Sequence, residues 1–209
     1  MANLLEIEVK VFVADLDAVA DRVRAAGATL AAGRVFERNI RYENAEGAFT
    51  PSGVVLRLRK DTRVRLTYKA APPEGPGVTT EGVLRRFEAE VTVDDLDTMD
   101  LILQRLGFRP YVIYEKYRTT YELDDTEIVL DEMPYGNFVE IEGTEADIEA
   151  ALVTLDLQDA PRMTASYLML FEYVKTRLGL TFRDLTFDNF GDVWVPHYLF
   201  THNDSGKDG

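Results

Sequence analysis

The 209-residue chain has no cysteine, one tryptophan and two histidines. Lacking thiols, it has no disulfide framework, no thiolate metal ligands and no cysteine nucleophile. Its histidines, His197 and His202, stand five residues apart near the C-terminus with no third ligand close in sequence, which argues against a metal site of their own. Bases are also scarce: 23 Lys and Arg against 37 Asp and Glu give a net charge of −14 and a pI near 4.6. A field of that sign repels nucleic acid and anionic membranes, so a polyanionic partner must be small and must meet a local concentration of bases. Long apolar runs are missing as well, and the opening MANLLEIEVKV places Glu6, Glu8 and Lys10 where a secretion signal would be apolar. The expectation is a cytoplasmic protein that engages neither nucleic acid nor membrane.

What is present is alternation of charged and apolar residues, which on a strand sends one class to each face. It begins at Glu6-Ile7-Glu8-Val9-Lys10-Val11. Arg57 and Arg59 alternate with leucines, Arg65, Thr67 and Lys69 with Leu66 and Tyr68, and Arg86, Glu88 and Glu90 with Phe87, Ala89 and Val91. Lys116 and Arg118 flank Tyr117; Glu140 and Glu142 flank Ile141. At least six strands therefore carry charge on one face. Between them, Asp15, Asp94 or Asp95, Thr144, and Thr164 or Ser166 are positioned to open helices, with Gly27, Gly107 and Gly179 as stops. The second helix is expected to turn Leu96, Met99, Ile102, Leu103 and Leu106 inward. EIEVKV, FEAEVTV and VEIEG each lead into a helix, which suggests an internal repeat. Residues 70–82, rich in Pro and Gly, read as a loop without a Walker motif and without a domain boundary.

Such faces are either solvated or turned into the interior of a curled sheet. The second reading is favoured because the alternate positions are mostly fully ionised, and because amphipathic helices need the apolar sheet face to cover. Each Glu-x-Glu holds two carboxylates about 7 Å apart on one face, a repulsion that a hard divalent cation would relieve. The bases Lys10, Arg57, Arg59, Lys69, Lys116 and Arg118 repel one another in turn, and a polyphosphate bridged to metal relieves both sets.

In their order these motifs resemble the CYTH, or triphosphate tunnel metalloenzyme, superfamily: Glu-x-Glu-x-Lys at Glu6, Glu8 and Lys10, Leu-Arg-Leu-Arg at Arg57 and Arg59, Thr-Tyr-Lys at Lys69, Phe-Glu-Ala-Glu at Glu88 and Glu90, Glu-Lys-Tyr-Arg at Lys116 and Arg118, Leu-Asp at Asp131, and Val-Glu-Ile-Glu-Gly at Glu140 and Glu142. The resemblance implies an α+β fold, an eight-stranded antiparallel β-barrel or tunnel with helices packed outside, over residues 1–178. Residues 179–209 then form a C-terminal extension, disordered in part, whose apolar Trp194, Val195, Tyr198, Leu199 and Phe200 pack on the domain or form a homodimer contact. It also implies an enzyme holding a small triphosphate (ATP, tripolyphosphate or thiamine triphosphate) on the six bases, with Mg²⁺ or Mn²⁺ on Glu6, Glu8, Glu88, Glu90, Asp131, Glu140 and Glu142. Lys10 is the candidate catalytic base, with Tyr42 as a partner if Tyr42 is not simply a packed aromatic. Gly27-Ala28, Leu106 to Phe108 and Ser166-Tyr167 look most like the class IV adenylate cyclase branch, which converts ATP to cyclic AMP and pyrophosphate. The stretch Glu37 to Glu43 departs from that branch, so a tripolyphosphatase or thiamine triphosphatase, or a binding module without turnover, stays open.

Overall fold

The computed structural model describes residues 5–75, 77–79 and 82–201. Its elements are β1 (Leu5–Val13), α1 (Leu16–Ala25), β2 (Thr29–Glu43), β3 (Val55–Lys60), β4 (Val64–Ala70), β5 (Leu84–Val93), α2 (Leu96–Arg105), β6 (Arg109–Leu123), β7 (Thr126–Met133), β8 (Gly136–Glu142), α3 (Glu145–Thr154), α4 (Tyr167–Leu178), α5 (Phe187–Phe190) and α6 (Tyr198–Thr201). The strands close into one antiparallel ring in the order β1-β5-β4-β3-β2-β6-β7-β8, with β8 returning to β1. This is the expected eight-stranded tunnel.

Directly opposed residues of antiparallel strands share a face, so the registers extend the charged face round the ring. Lys10 faces Glu140, Lys69 faces Glu88, Arg59 faces Arg65, and Arg118 faces Asp131. The residues between them point outward and supply the core under the helices: Val9, Val11, Val139 and Ile141 are fully buried with Val19 and Val23 of α1 and Ile148 and Leu152 of α3. Asp15, Asp95, Thr144 and Ser166 cap their helices by accepting from a backbone N–H three residues on, a contact that contributes about 1 kcal/mol. Gly27 (φ 88°) and Gly107 (φ 96°) occupy the left-handed position just past α1 and α2.

Helix α2 departs from expectation. Leu103 is buried with Leu96 and Met99 packed beside it, but Ile102 and Leu106 are 45% and 68% exposed. Residues 96, 99 and 103 already complete one narrow stripe at helical spacing, and 102 and 106 fall on its flank.

The anticipated repeat takes a specific form. Each half runs strand, helix, long strand, strand, strand: β1-α1-β2-β3-β4, then β5-α2-β6-β7-β8. Exchanging the halves maps the ring order onto itself, and the two 15-residue strands β2 and β6 pair along the seam. Under this exchange β8, which carries VEIEG, corresponds to β4 and not to β1.

Toward one end the interior changes character. Phe12, Tyr114 and Phe138 stand two residues from Lys10, Lys116 and Glu140, on the same face, and join an aromatic cluster with Tyr135, Tyr167, Phe171, Phe190 and Phe200. Here the segment after α3 completes the sheet. Met163 N–H donates to the Lys10 carbonyl, while Leu185 N–H donates to Ile113 and its carbonyl accepts from Glu115, so strand edges of β1 and β6 are covered. In the C-terminal apolar cluster, Leu199 and Phe200 are buried against the ring and Trp194 is 79% exposed. His197 lies against Phe12; His202 is outside the described residues.

Phe138 is fully buried among Phe12, Tyr135, Tyr167 and Phe200. Phe138→Ala is expected to cost about 3–5 kcal/mol, read as a lower urea midpoint at unchanged slope.

Candidate active site

The inward charges meet in a cavity of about 270 Å³ lined by nine Lys and Arg against seven Glu, a cation excess inside a chain of net charge −14. All six bases expected to grip phosphate line it: Lys10, Arg57, Arg59, Lys69, Lys116 and Arg118. So do six of the seven expected metal ligands: Glu6, Glu8, Glu88, Glu90, Glu140 and Glu142.

Two expected residues are placed differently. Asp131 faces inward but is fully buried and does not line the cavity. It accepts from Lys116 Nζ (2.8 Å), Arg118 Nε (2.7 Å) and the Tyr167 hydroxyl (2.8 Å), and so anchors two of the cations. Tyr42 is on the outer face. It packs under α2, and its hydroxyl donates to Asp100 Oδ1 at 2.7 Å. Burial, then that acceptor, push its phenol far above the ordinary range, so it stays protonated and out of reach of the cavity.

The cations are held by a framework of carboxylates. Lys69 contacts Glu6 (2.5 Å) and Glu88 (2.9 Å), Arg86 contacts Glu8 (2.7 Å), and Arg118 contacts Glu140 (2.6 Å). Glu37 is buried beneath Arg59 (3.5 Å) and Lys116 (3.7 Å); burial alone would raise its pKa, but Lys116, Arg118, Arg59 and Arg57 together hold it at about 2. The same opposition holds the Glu140 carboxyl well below its usual range, chiefly through Lys10 and Arg118. The cation set is crowded in turn: burial first, then Arg57, lower the affinity of the Arg59 guanidinium for its proton, and burial with Arg57 and Arg86 does the same to Arg41. The buried Nε atoms of Arg41, Arg57, Arg59, Arg65 and Arg86 donate to no acceptor among the described residues. Unmatched buried donors are costly.

The acids fit a divalent cation by their chemistry. Glu142 stands directly opposite Glu8 on one neighbouring strand and Glu127 on the other, a row of like charges that is destabilising by itself. Burial, then Glu6, Glu127 and Glu8, push the Glu142 carboxyl up to about 7. Glu6 Oε2 is buried without a hydrogen-bond donor. Hard carboxylate oxygens in this density suit Mg²⁺ or Mn²⁺, although among the described residues no three acids meet as a ready-made cage.

Arg41, Arg65, Arg86, Glu127, Tyr114 and Tyr167 also line the cavity and were not singled out from sequence as site residues. Register finds most of them. Arg41 is opposite Arg57, Arg65 opposite Arg59, Arg86 opposite Glu6 and Glu127 opposite Glu142, so each inherits its neighbour's inward face. A second, apolar cavity of about 880 Å³ shares Arg41, Val55, Arg86, Ser166 and Leu168 with the charged one, and Pro72, Val78, Tyr111 and Met169 help to wall it.

The CYTH domain family matches residues 4–161. The chain belongs to that family. It is 28% identical over 147 residues, 69% of its length and 80% of the relative's, to a candidate adenylate cyclase of Methanocaldococcus jannaschii. A candidate adenylate cyclase from Vibrio parahaemolyticus superposes with a TM-score of 0.67 at 17% identity, covering 82% of this chain and 99% of that one. A Hippeastrum protein described as a candidate adenylyl cyclase with a dominant triphosphatase activity superposes at 0.58 and 20% identity, covering 85% and 97%. Among the described residues of this CYTH chain no helix is long and apolar enough to cross a membrane.

Two outcomes follow for this site. Because Glu37 has a folded pKa of about 2 against an ordinary 4.5, its contribution is complete above pH 4.5 and is lost as pH falls toward 2. Acid titration of the unfolding free energy is expected to show a loss that is about 3 kcal/mol smaller in Glu37→Gln than in the parent. Tyr42→Phe is expected to leave turnover within twofold while costing about 1 kcal/mol in stability from the lost bond to Asp100.

Proposed function

We propose that this CYTH protein is a divalent-metal-dependent enzyme acting on a triphosphate, most like a class IV adenylate cyclase converting ATP to cyclic AMP and pyrophosphate. The observation that carries the reading is the cavity inside the ring where nine cations lie against a row of mutually repelling carboxylates. The bases bind and orient the phosphate chain. Arg57, Arg59, Lys69, Lys116 and Arg118 stabilise charge on its oxygens, and the closed ring excludes bulk water from that contact. Glu6, Glu8, Glu140 and Glu142 would hold the metal ion, which when bound neutralises phosphoryl oxygens and acts as a Lewis acid. In the cyclase, the ribose 3′-oxygen bonds to the α-phosphorus as the bridge to the β-phosphorus breaks, and pyrophosphate departs. Lys10 serves in two forms in turn: its ammonium, 3.4 Å from Glu140, helps to hold phosphate, and only after giving up that proton can its Nζ take the one leaving the ribose hydroxyl.

The apolar cavity favours an organic triphosphate. Phosphate oxygens gain nothing from Pro72, Val78, Tyr111 or Met169, whereas a base or heteroaromatic group does. The second reading, hydrolysis of a terminal phosphate, is supported by the activity named for the Hippeastrum neighbour. It needs the same clamp with water in place of the ribose hydroxyl.

With Mg²⁺ or Mn²⁺ and ATP, chromatography is expected to show cyclic AMP and pyrophosphate. Orthophosphate with a diphosphate product from ATP, tripolyphosphate or thiamine triphosphate would assign the hydrolase instead. No turnover of any of the three with either metal rejects both. Arg59→Ala and Glu8→Ala are each expected to lower kcat/KM by about 100-fold or more, with chelation by EDTA abolishing the remainder. Near-normal rates in folded variants would return these side chains to a structural role.

A further inference from the structure

We propose that Tyr167, which lies beyond the segment matched to the CYTH family, is a positioning residue whose ring seats the ammonium groups of Lys10 and Lys116 toward the phosphate site. The proposal rests on the triphosphate reading above.

The backbone explains how a residue of the outer helices reaches the interior. Strand β5 pairs with β1 from Leu5 to Glu8. At Lys10 and Val11 the edge of β1 is instead met by Arg162 and Met163, through a bridge between Val11 and Arg162 and a 2.7 Å bond from Met163 N–H to the Lys10 carbonyl. The chain then enters α4, and its first residue, Tyr167, lines the charged cavity.

The Tyr167 side chain meets both lysines. Lys10 Nζ lies 4.3 Å and Lys116 Nζ 5.2 Å from its ring centroid, both within the range where the face of an aromatic ring attracts a cation. Each ammonium also has a carboxylate competing for it. Lys10 is 3.4 Å from Glu140 and donates to the Ala165 carbonyl at 3.4 Å, and Lys116 is 2.8 Å from Asp131 and 3.7 Å from Glu37. The Tyr167 hydroxyl donates to that same Asp131 Oδ2 at 2.8 Å and so takes up part of its capacity to accept. The ring is itself fixed. Phe138 meets it edge-on at 5.3 Å, and the Tyr135 hydroxyl donates to the Tyr167 carbonyl at 2.8 Å. A fixed neutral π-face orients the two ammoniums without adding a further negative charge to the carboxylates already beside them.

The ring and the hydroxyl are separable. Binding of tripolyphosphate, measured by calorimetry without metal, is expected to stay within about threefold of the parent in Tyr167→Phe and to weaken about tenfold or more in Tyr167→Leu, since only the second loses the π-face. A series of mono-, di- and trifluorinated phenylalanines at position 167 keeps shape and packing while draining the ring face. Stepwise weaker binding along it, at constant melting temperature, supports the seat. A flat series overturns it, even if Tyr167→Leu does not fold, and so does a Tyr167→Phe as weak as Tyr167→Leu. If the parent protein fails to bind tripolyphosphate, ATP and thiamine triphosphate alike, the triphosphate reading itself falls. A parent that binds beside a Tyr167→Leu of equal affinity overturns only the role given to Tyr167.

Discussion

The site depends on one constraint, the parity of side chains in a closed antiparallel ring. Once β1 lies between β5 and β8, every second residue of eight strands must face a shared interior, and the sequence places an ionised group at most of those positions. Taking so many charges from water is expensive, and attraction within ion pairs at best roughly offsets the cost. The arrangement is tolerable because signs are interleaved. Glu37 and Asp131 are buried against two or more cations, and Lys69 and Arg118 are each held by more than one acid. Where interleaving is incomplete, in the Glu8–Glu142–Glu127 row and in the crowd of Arg41, Arg57 and Arg59, the protein retains repulsion of both signs. A metal-bridged polyanion is complementary to both at once.

The interior is divided along its length. Two residues on from Lys10, Lys116 and Glu140, the same face carries Phe12, Tyr114 and Phe138, and the helices after α3 pack aromatic rings against them. This apolar mass keeps water from the inner end of the charged region and fixes the side chains that border it. Tyr114 belongs to both regions: its ring is part of the aromatic cluster, and its hydroxyl accepts from Arg57 at 3.1 Å. The segment that supplies this mass lies outside the family match, yet it supplies a wall of the cavity through Ser166, Tyr167 and Leu168.

Much of this was legible in the sequence because an ionised group at every second position is improbable on a face that is merely solvated. β1, β3, β4, β5 and β8 announce themselves this way, as does the middle of β6, and the helix caps were readable from Asp15, Thr144 and Ser166. β7 was harder to read: Ile128, Val129 and Leu130 form an apolar run, and only Glu127 and Asp131 mark its inner face. On β2, Glu37-Arg38-Asn39-Ile40-Arg41 carries charge on both faces, since Arg38 pairs outside with Glu115 while Arg41 points inward. Parity there is ambiguous until the partner strand is known, so Arg41 carries no inward signal of its own, and of the two readings open for Tyr42 the structure places it as the packed aromatic. Tyr167 reads from sequence as part of the apolar pattern of α4, and its place in the cavity comes from a tertiary contact between residues 162–163 and β1.

The closure of the ring by β1 has a kinetic side. Its partners are β5 and β8, the latter nearly 130 residues downstream, so the tunnel has no continuous wall until most of the polypeptide has left the ribosome. Until then the leading strand and the edges of β5 and β8 present unpaired backbone, and the charged side chains along those edges discourage pairing with a neighbouring nascent chain. The charges that burden the finished interior thus also guard its assembly.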